Sequence, residues 1–168
     1  MGRRRPDPSI PRHALLEGIR ECLAVARRRL NETKTLLEQG LLTQAGIVFS
    51  FALEEFGKAA LLKRAAESGA DPARINGFYD HREKMAAAAE HVAPPFLRLT
   101  EGAFDASGFD SDAFDTGRQA DVAARMAGLY VDWQDGQWVH GLQVDGPTLR
   151  RSSLGLQAAI RQAMRKWT

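Results

Sequence analysis

Between Arg12 and Glu67 the helical periodicity of this chain is interrupted once, at Gly40-Leu41, and that break constrains most of what can follow. Upstream, Leu15, Ile19, Leu23, Ala26, Leu30 and Leu37 recur at threes, fours and sevens. Such spacing makes one apolar stripe, on a helix expected over residues 12–39. Gly40 supplies the left-handed residue that ends many helices. A second helix is expected from Leu42 or Thr43 to Glu67, and so short a connection leaves only an antiparallel hairpin.

The second helix is apolar on nearly every side. Leu42, Ala45, Phe49, Leu53, Phe56 and Ala60 fill one flank, while Ile47, Phe51 and Leu62 lie on the other. A helix of this kind is expected to be central, packed on several faces. It nevertheless carries Glu54, Glu55 and Lys58, with Lys58 at i,i+4 from the first acid and i,i+3 from the second. Burying an unpaired charge costs several kcal/mol, so the trio is either a paired structural network or the lining of a site. Gly57 lies beside it. Glycine inside a helix costs about 1 kcal/mol relative to alanine, and here it implies close approach of another helix or a ligand.

Further along, Asp71 is expected to cap a short helical turn opened by Pro72. "DHRE" at residues 80–83 has the form of a capping box, opening a helix that runs to about His91. His81 and Lys84 share a face of that helix and are not explained by capping, which makes them candidate acid–base or ligand groups. Pro94 and Pro95 mark a break, and a short helix follows to Glu101. Residues 101–117 read as a Gly-, Asp- and Ser-rich loop with Phe104, Phe109 and Phe114 spaced between acids. A helix is expected over residues 117–127. A hairpin is expected at residues 129–133 and 137–140 around Asp135-Gly136. A last helix covers residues 148–167, with Leu154, Ala158, Ile160 or Arg161, and Met164 near its packed face. The fold class is an all-α bundle of four to six helices with a small hairpin near residues 129–140. Residues 1–11 read as a disordered basic tail and residues 12–168 as a single domain.

Charge and composition exclude several functions. The formal net charge is only +2, too small to imply nucleic-acid binding by itself. Its distribution is uneven: both ends are arginine-rich and residues 101–121 are acidic, which is either an ordinary solvated surface or a footprint for RNA or an acidic partner. No run approaches the ~18 apolar residues that span a membrane. Cys22 is the only cysteine, which fits a reducing compartment, and its apolar neighbours on the first helix make it a packed thiol rather than a nucleophile. The expected location is the cytoplasm. There is no phosphate-binding glycine loop. A metal held by Glu54, Glu55 and His81 is disfavoured, because no Glu-x-x-His occurs and two lysines would repel the ion. No cofactor is expected.

Taken together, "ALEEFGKAALL", "DHREKM" and "GLYVDW" before an amphipathic last helix resemble the AbiV family of abortive-infection proteins, which belongs to the HEPN superfamily of helical bundles. The resemblance spans about residues 14–165. Phe56 replaces a usual leucine and Trp133 a common tyrosine, and neither change touches a charged position. The resemblance implies a HEPN-like bundle and a phage-defence role that shuts down host processes. It marks Glu54, Glu55, Lys58, His81 and Lys84 as candidate catalytic residues, and Gly57, Tyr130 and Asp132 as binding or structural ones. Many HEPN domains are ribonucleases with an Arg-x4–6-His motif. Here Arg74 and His81 fit that spacing, but Arg74 precedes the helix opened at Asp80, so the pair is not assigned. If RNA is cleaved, His81 with Glu54 or Glu55 would move the protons without metal. The alternative is a non-catalytic module that binds a phage or translation component, its charged cluster structural. A homodimer is the oligomer that the resemblance implies.

Overall fold

The computed structural model describes residues 7–92, two short strands at Asp132–Gln134 and Gln137–Val139, and residues 146–168. Strand β1 is Ser9–Ile10 and helix α1 is Arg12–Glu38. Helix α2 is Leu42–Glu67, strand β2 Ala73–Arg74 and helix α3 His81–Ala89. Strands β3 and β4 are Asp132–Gln134 and Gln137–Val139, and helix α4 is Gly146–Lys166. The fold is an all-α bundle with small two-stranded additions.

The hairpin expected at Gly40 is present. Gly40 has φ +74°, its N–H donates to the Leu37 carbonyl (3.2 Å) and the Leu41 N–H donates to that of Leu36 (2.9 Å). These two bonds close α1 with a Schellman turn, which a β-carbon at position 40 would strain. The α1 stripe is buried as its spacing requires: Leu15, Ile19, Leu23, Ala26, Leu30 and Leu37 all face inward. Thr33 joins them, its hydroxyl donating to the Arg29 carbonyl (2.9 Å) so that no polar atom is stranded. From α2 come Ala45, Phe49, Leu53, Phe56, Ala60 and Leu62. Phe51 departs from the all-round burial expected of α2; it is 40% exposed.

Part of the expected tail, from residue 7 onward, is held in the fold. Within the expected tail, Ser9–Ile10 pairs antiparallel with Ala73–Arg74, and the Ile75 N–H donates to the Pro8 carbonyl (3.0 Å). Ile10 packs against the core, and that burial offsets the cost of ordering the segment. The helical turn expected after Asp71 is replaced by β2. Asp71 does cap a helix, but a distant one. Its carboxylate accepts from the Arg12 N–H (3.0 Å) across a separation of 59 residues, at an α1 terminus where Pro11 supplies no side-chain cap.

Asp80 caps α3 as expected, accepting from the Arg82 N–H (3.0 Å). The Asp80 N–H donates to the Gly77 carbonyl (2.8 Å). In the hairpin Trp133 stands opposite Trp138 and Gln134 opposite Gln137; residues 129–131, the expected start of the first strand, lie outside the described residues. The expected short helix to Glu101, the loop over 101–117 and the helix over 117–127 lie outside the described residues.

Helix α4 corrects the sequence reading. Its buried face is Leu149, Ser152, Ser153, Leu156, Ala159, Ile160 and Ala163. Of the residues expected to pack, only Ile160 does; Leu154 is 63% exposed and Met164 38%. The helix carries two apolar stripes, and the serines disguised the one that packs. Among the described residues their hydroxyls have no hydrogen-bond partner, so burying them offsets part of what the neighbouring aliphatics contribute.

Helices α2 and α3 approach closely at Gly57. A methyl group built on Gly57 would lie 1.8 Å from the Lys84 carbonyl oxygen and 2.6 Å from its carbon. Gly57→Ala is therefore expected to push the helices apart and to destabilise the fold by roughly 1–3 kcal/mol or more, the range of overpacking. Urea unfolding measures this; a variant as stable as the parent would mean that α3 slides freely.

Candidate functional site

The contact at Gly57 sets the geometry of the charged cluster. One turn earlier on the same face of α2, Glu54 points toward α3. One of its carboxylate oxygens accepts from Lys84 Nζ, and the other lies 3.1 Å from His81 Nδ1. His81 and Lys84 are three residues apart, so both fall on the α3 face that meets α2. The Lys84 side chain is 7% exposed, Glu54 16% and His81 20%, so the group is largely withdrawn from water. His81 is thus not at an open helix start, as its sequence position implied.

Glu55 and Lys58 form a second pair. Lys58 Nζ donates to Glu55 Oε1 at 2.6 Å within α2, and both side chains are 24% exposed. The single trio expected from the wheel is therefore divided. Glu54 reaches across to α3, while Lys58 serves Glu55. Gly57 is explained as the site where the α3 backbone touches α2. Asp132 opens β3 opposite Val139; Tyr130 lies outside the described residues. Arg74 is exposed on β2, while His81 is turned toward Glu54.

Electrostatics follow from this layout. Burial would raise the Glu54 pKa, but hydrogen bonds from His81 and Lys84, with their charges, outweigh it and hold the carboxyl far below its usual value near 4.5. Across the hairpin Cys22 has the opposite fate. Burial first, then the nearby Glu55 carboxylate, pushes its thiol up to about 11. Among the described residues no three His, Cys, Asp or Glu side chains come together as a metal site. Sequence reasoning missed a neighbouring aromatic cluster. Phe56 stacks on Trp167 (5.7 Å), His91 meets Trp167 edge-on (4.9 Å), and Lys63 lies 5.6 Å from the Trp167 ring centre. An apolar tryptophan beside the chain end was the available signal.

A long antiparallel helix pair, a short helix clamped on it through a buried carboxylate and a last helix closing the side define a HEPN-like all-α bundle. The family model HEPN_AbiV, described as AbiV, matches residues 14–161. The chain belongs to the AbiV family of HEPN proteins, and that membership places it among abortive-infection proteins. No curated protein matches, and no solved structure does. Among the described residues no helix is long and apolar enough to cross a membrane.

Two measurements follow. Lys84→Met leaves the Glu54 carboxylate buried without its cation and is expected to cost about 3–5 kcal/mol, whereas Glu55→Ala, at a partly exposed pair within one helix, costs about 1 kcal/mol or less. Equal losses in chemical denaturation would contradict the division into two pairs. The Glu54 pKa is depressed on folding, so its stabilisation is complete above the unfolded value near 4.5 and is lost as pH falls below it toward the folded value. Acid titration of Glu54→Gln should show a shallower fall in stability below pH 4.5 than the parent shows. In addition, iodoacetamide should label Cys22 in the folded protein on the order of a hundredfold more slowly than in urea, because the thiolate is the reacting form.

Proposed function

We propose that this protein is an abortive-infection effector that acts by binding a phage or host component, and that Glu54, His81, Lys84 and Gly57 are the brace that holds its binding surface in shape. The observation that carries this reading is that both Glu54 oxygens are taken up by α3. A carboxylate held so far below its usual pKa is a weak proton acceptor at neutral pH, where a general base works best near 7. Lys84, bonded to that same carboxylate, is committed to the brace rather than to a phosphate. Glu55 and Lys58, the more exposed pair, take the surface role on α2.

One observation favours a second reading, metal-independent RNA cleavage. Glu54 holds His81 by Nδ1, the arrangement that orients a histidine for proton transfer at its other nitrogen. The two readings separate in the double variant Glu54→Met with Lys84→Met, which replaces the ion pair with apolar side chains of similar length. Such exchanges are often neutral for stability. The expected outcome is a folded protein that still protects cells against phage, with total RNA left intact by both the purified variant and the parent. A folded double variant that fails to protect would sink the brace reading. RNA degradation by the parent that is lost in His81→Gln would establish the nuclease instead.

A further inference from the structure

A cleft of about 220 Å³ lies between α1 and α4, away from any residue of the charged cluster. Arg27 and Asn31 of α1 and Gln157 and Arg161 of α4 rim it, and Leu30, Ile160 and Met164 form its apolar lining. The two helices run antiparallel. Arg150, near the start of α4, donates to the Leu37 carbonyl (3.2 Å), and Arg20 of α1 donates to that of Thr168 (3.2 Å). On α4 the spacing of Leu154, Gln157, Arg161 and Met164 puts them on one face, so the 63%-exposed Leu154 and 38%-exposed Met164 extend the apolar strip along the groove.

The charges of this cleft are unbalanced. Two guanidinium groups on the bundle have carboxylate partners, Arg29 with Glu32 at 2.7 Å and Arg64 with Glu90 at 2.5 Å. Arg27 and Arg161 make no ion pair among the described residues, although both border one small cleft. Residues 150–168 contain no acid that could balance them. Two such cations beside an aliphatic floor favour an anion attached to an apolar group. A second copy of the chain fits poorly, because a symmetric contact would bring basic α4 faces together. A nucleic-acid strand also fits poorly, because the cleft lining has no aromatic side chain on which a base could stack.

We propose that the α1–α4 cleft docks an acidic, apolar peptide segment of the partner, an assignment that rests on the effector reading for its biological role. Carboxylates pair with Arg27 and Arg161 in the forked geometry that guanidinium favours. One or two aliphatic side chains settle on Leu30, Ile160 and Met164, where the flexible methionine adapts to their shape. Asn31 and Gln157 are placed at the rim to bond the peptide backbone.

The test uses the full chain and a fluorescein-labelled twelve-residue peptide repeating Glu-Leu-Asp-Leu, read by anisotropy. Arg27→Gln with Arg161→Gln removes both cations at the protein surface, and circular dichroism with thermal unfolding verifies the fold. The expected result is saturable binding by the parent and at least tenfold weaker binding by the double variant. Arg74→Gln, an exposed control on β2, should bind like the parent. A peptide with alanine in place of leucine should bind markedly less well. Phage protection should fall in the double variant. The proposal is overturned if the parent does not bind below 1 mM, or if the double variant or the alanine peptide binds as well as its counterpart. Tighter binding of oligo-uridine through the same two arginines would overturn it in favour of nucleic acid. If protection persists in the double variant while the Glu54/Lys84 results hold, the cleft assignment fails and the effector reading stands.

Discussion

The Glu54 carboxylate, bonded from both His81 and Lys84, is the contact on which the α2–α3 side of the bundle depends. Helix α3 is only nine residues long, His81 to Ala89, and isolated helices of that length are marginal in water. Its inward face offers little beyond Lys84, Ala87 and Ala88. What it lacks in apolar area it recovers by close approach: Gly57 admits the Lys84 carbonyl to van der Waals distance, and the Lys84 side chain then turns back along α2 to Glu54. The glycine and the ion pair are one device. A larger residue at 57 would move Lys84 away from the carboxylate, and a missing carboxylate would leave Lys84 buried and unpaired.

That device also decides the chemistry of the region. A carboxylate stabilised by two cationic or potentially cationic donors keeps its charge and gives up basicity. On the neighbouring face, Lys58 is drawn to Glu55, and the negative charge of that pair's carboxylate, together with burial, keeps the Cys22 thiol protonated. The polar groups here are satisfied by one another across two helices. This is what a surface of fixed shape requires, and it separates this face from the α1–α4 side, where Arg27 and Arg161 have no carboxylate partner among the described residues.

Much of the architecture was legible in the residue spacing. The stripe from Leu15 to Leu37 has a single helical solution, and Gly40 could only end it, because the short connection to Leu42 admits no other path. The grouping of Glu54 with His81 and Lys84 was also legible, since an otherwise apolar helix must pair its charges with something. The division of the trio was not. On a helical wheel Lys58 is within reach of both acids, at i,i+4 from Glu54 and i,i+3 from Glu55, and only the arrival of Lys84 from α3 takes Glu54 from it. The β1–β2 pairing was hidden for a similar reason: Ser9–Ile10 and Ala73–Arg74 are too short to show alternation, and their ladder forms only because the α1–α2 hairpin brings them together.

The sequence by itself determined the helical hairpin, the cap at Asp80, the need for close packing at Gly57 and the pairing of charges in α2. The hairpin and the cap rest on local geometry; the close packing at Gly57 and the pairing of charges follow from the cost of a helical glycine and of a buried charge, although their partners on α3 were fixed only by the tertiary structure. Only the tertiary structure decided which α4 stripe is buried. Leu149, Leu156 and Ile160 compete with Leu154 and Met164, and both sets have helical spacing. Packing against α1 selects the first set even though Ser152 and Ser153 are buried with it. The choice leaves Leu154 and Met164 beside two arginines that have no carboxylate partner among the described residues, because a helix face is assigned by the shape of what it packs on and not by its own periodicity.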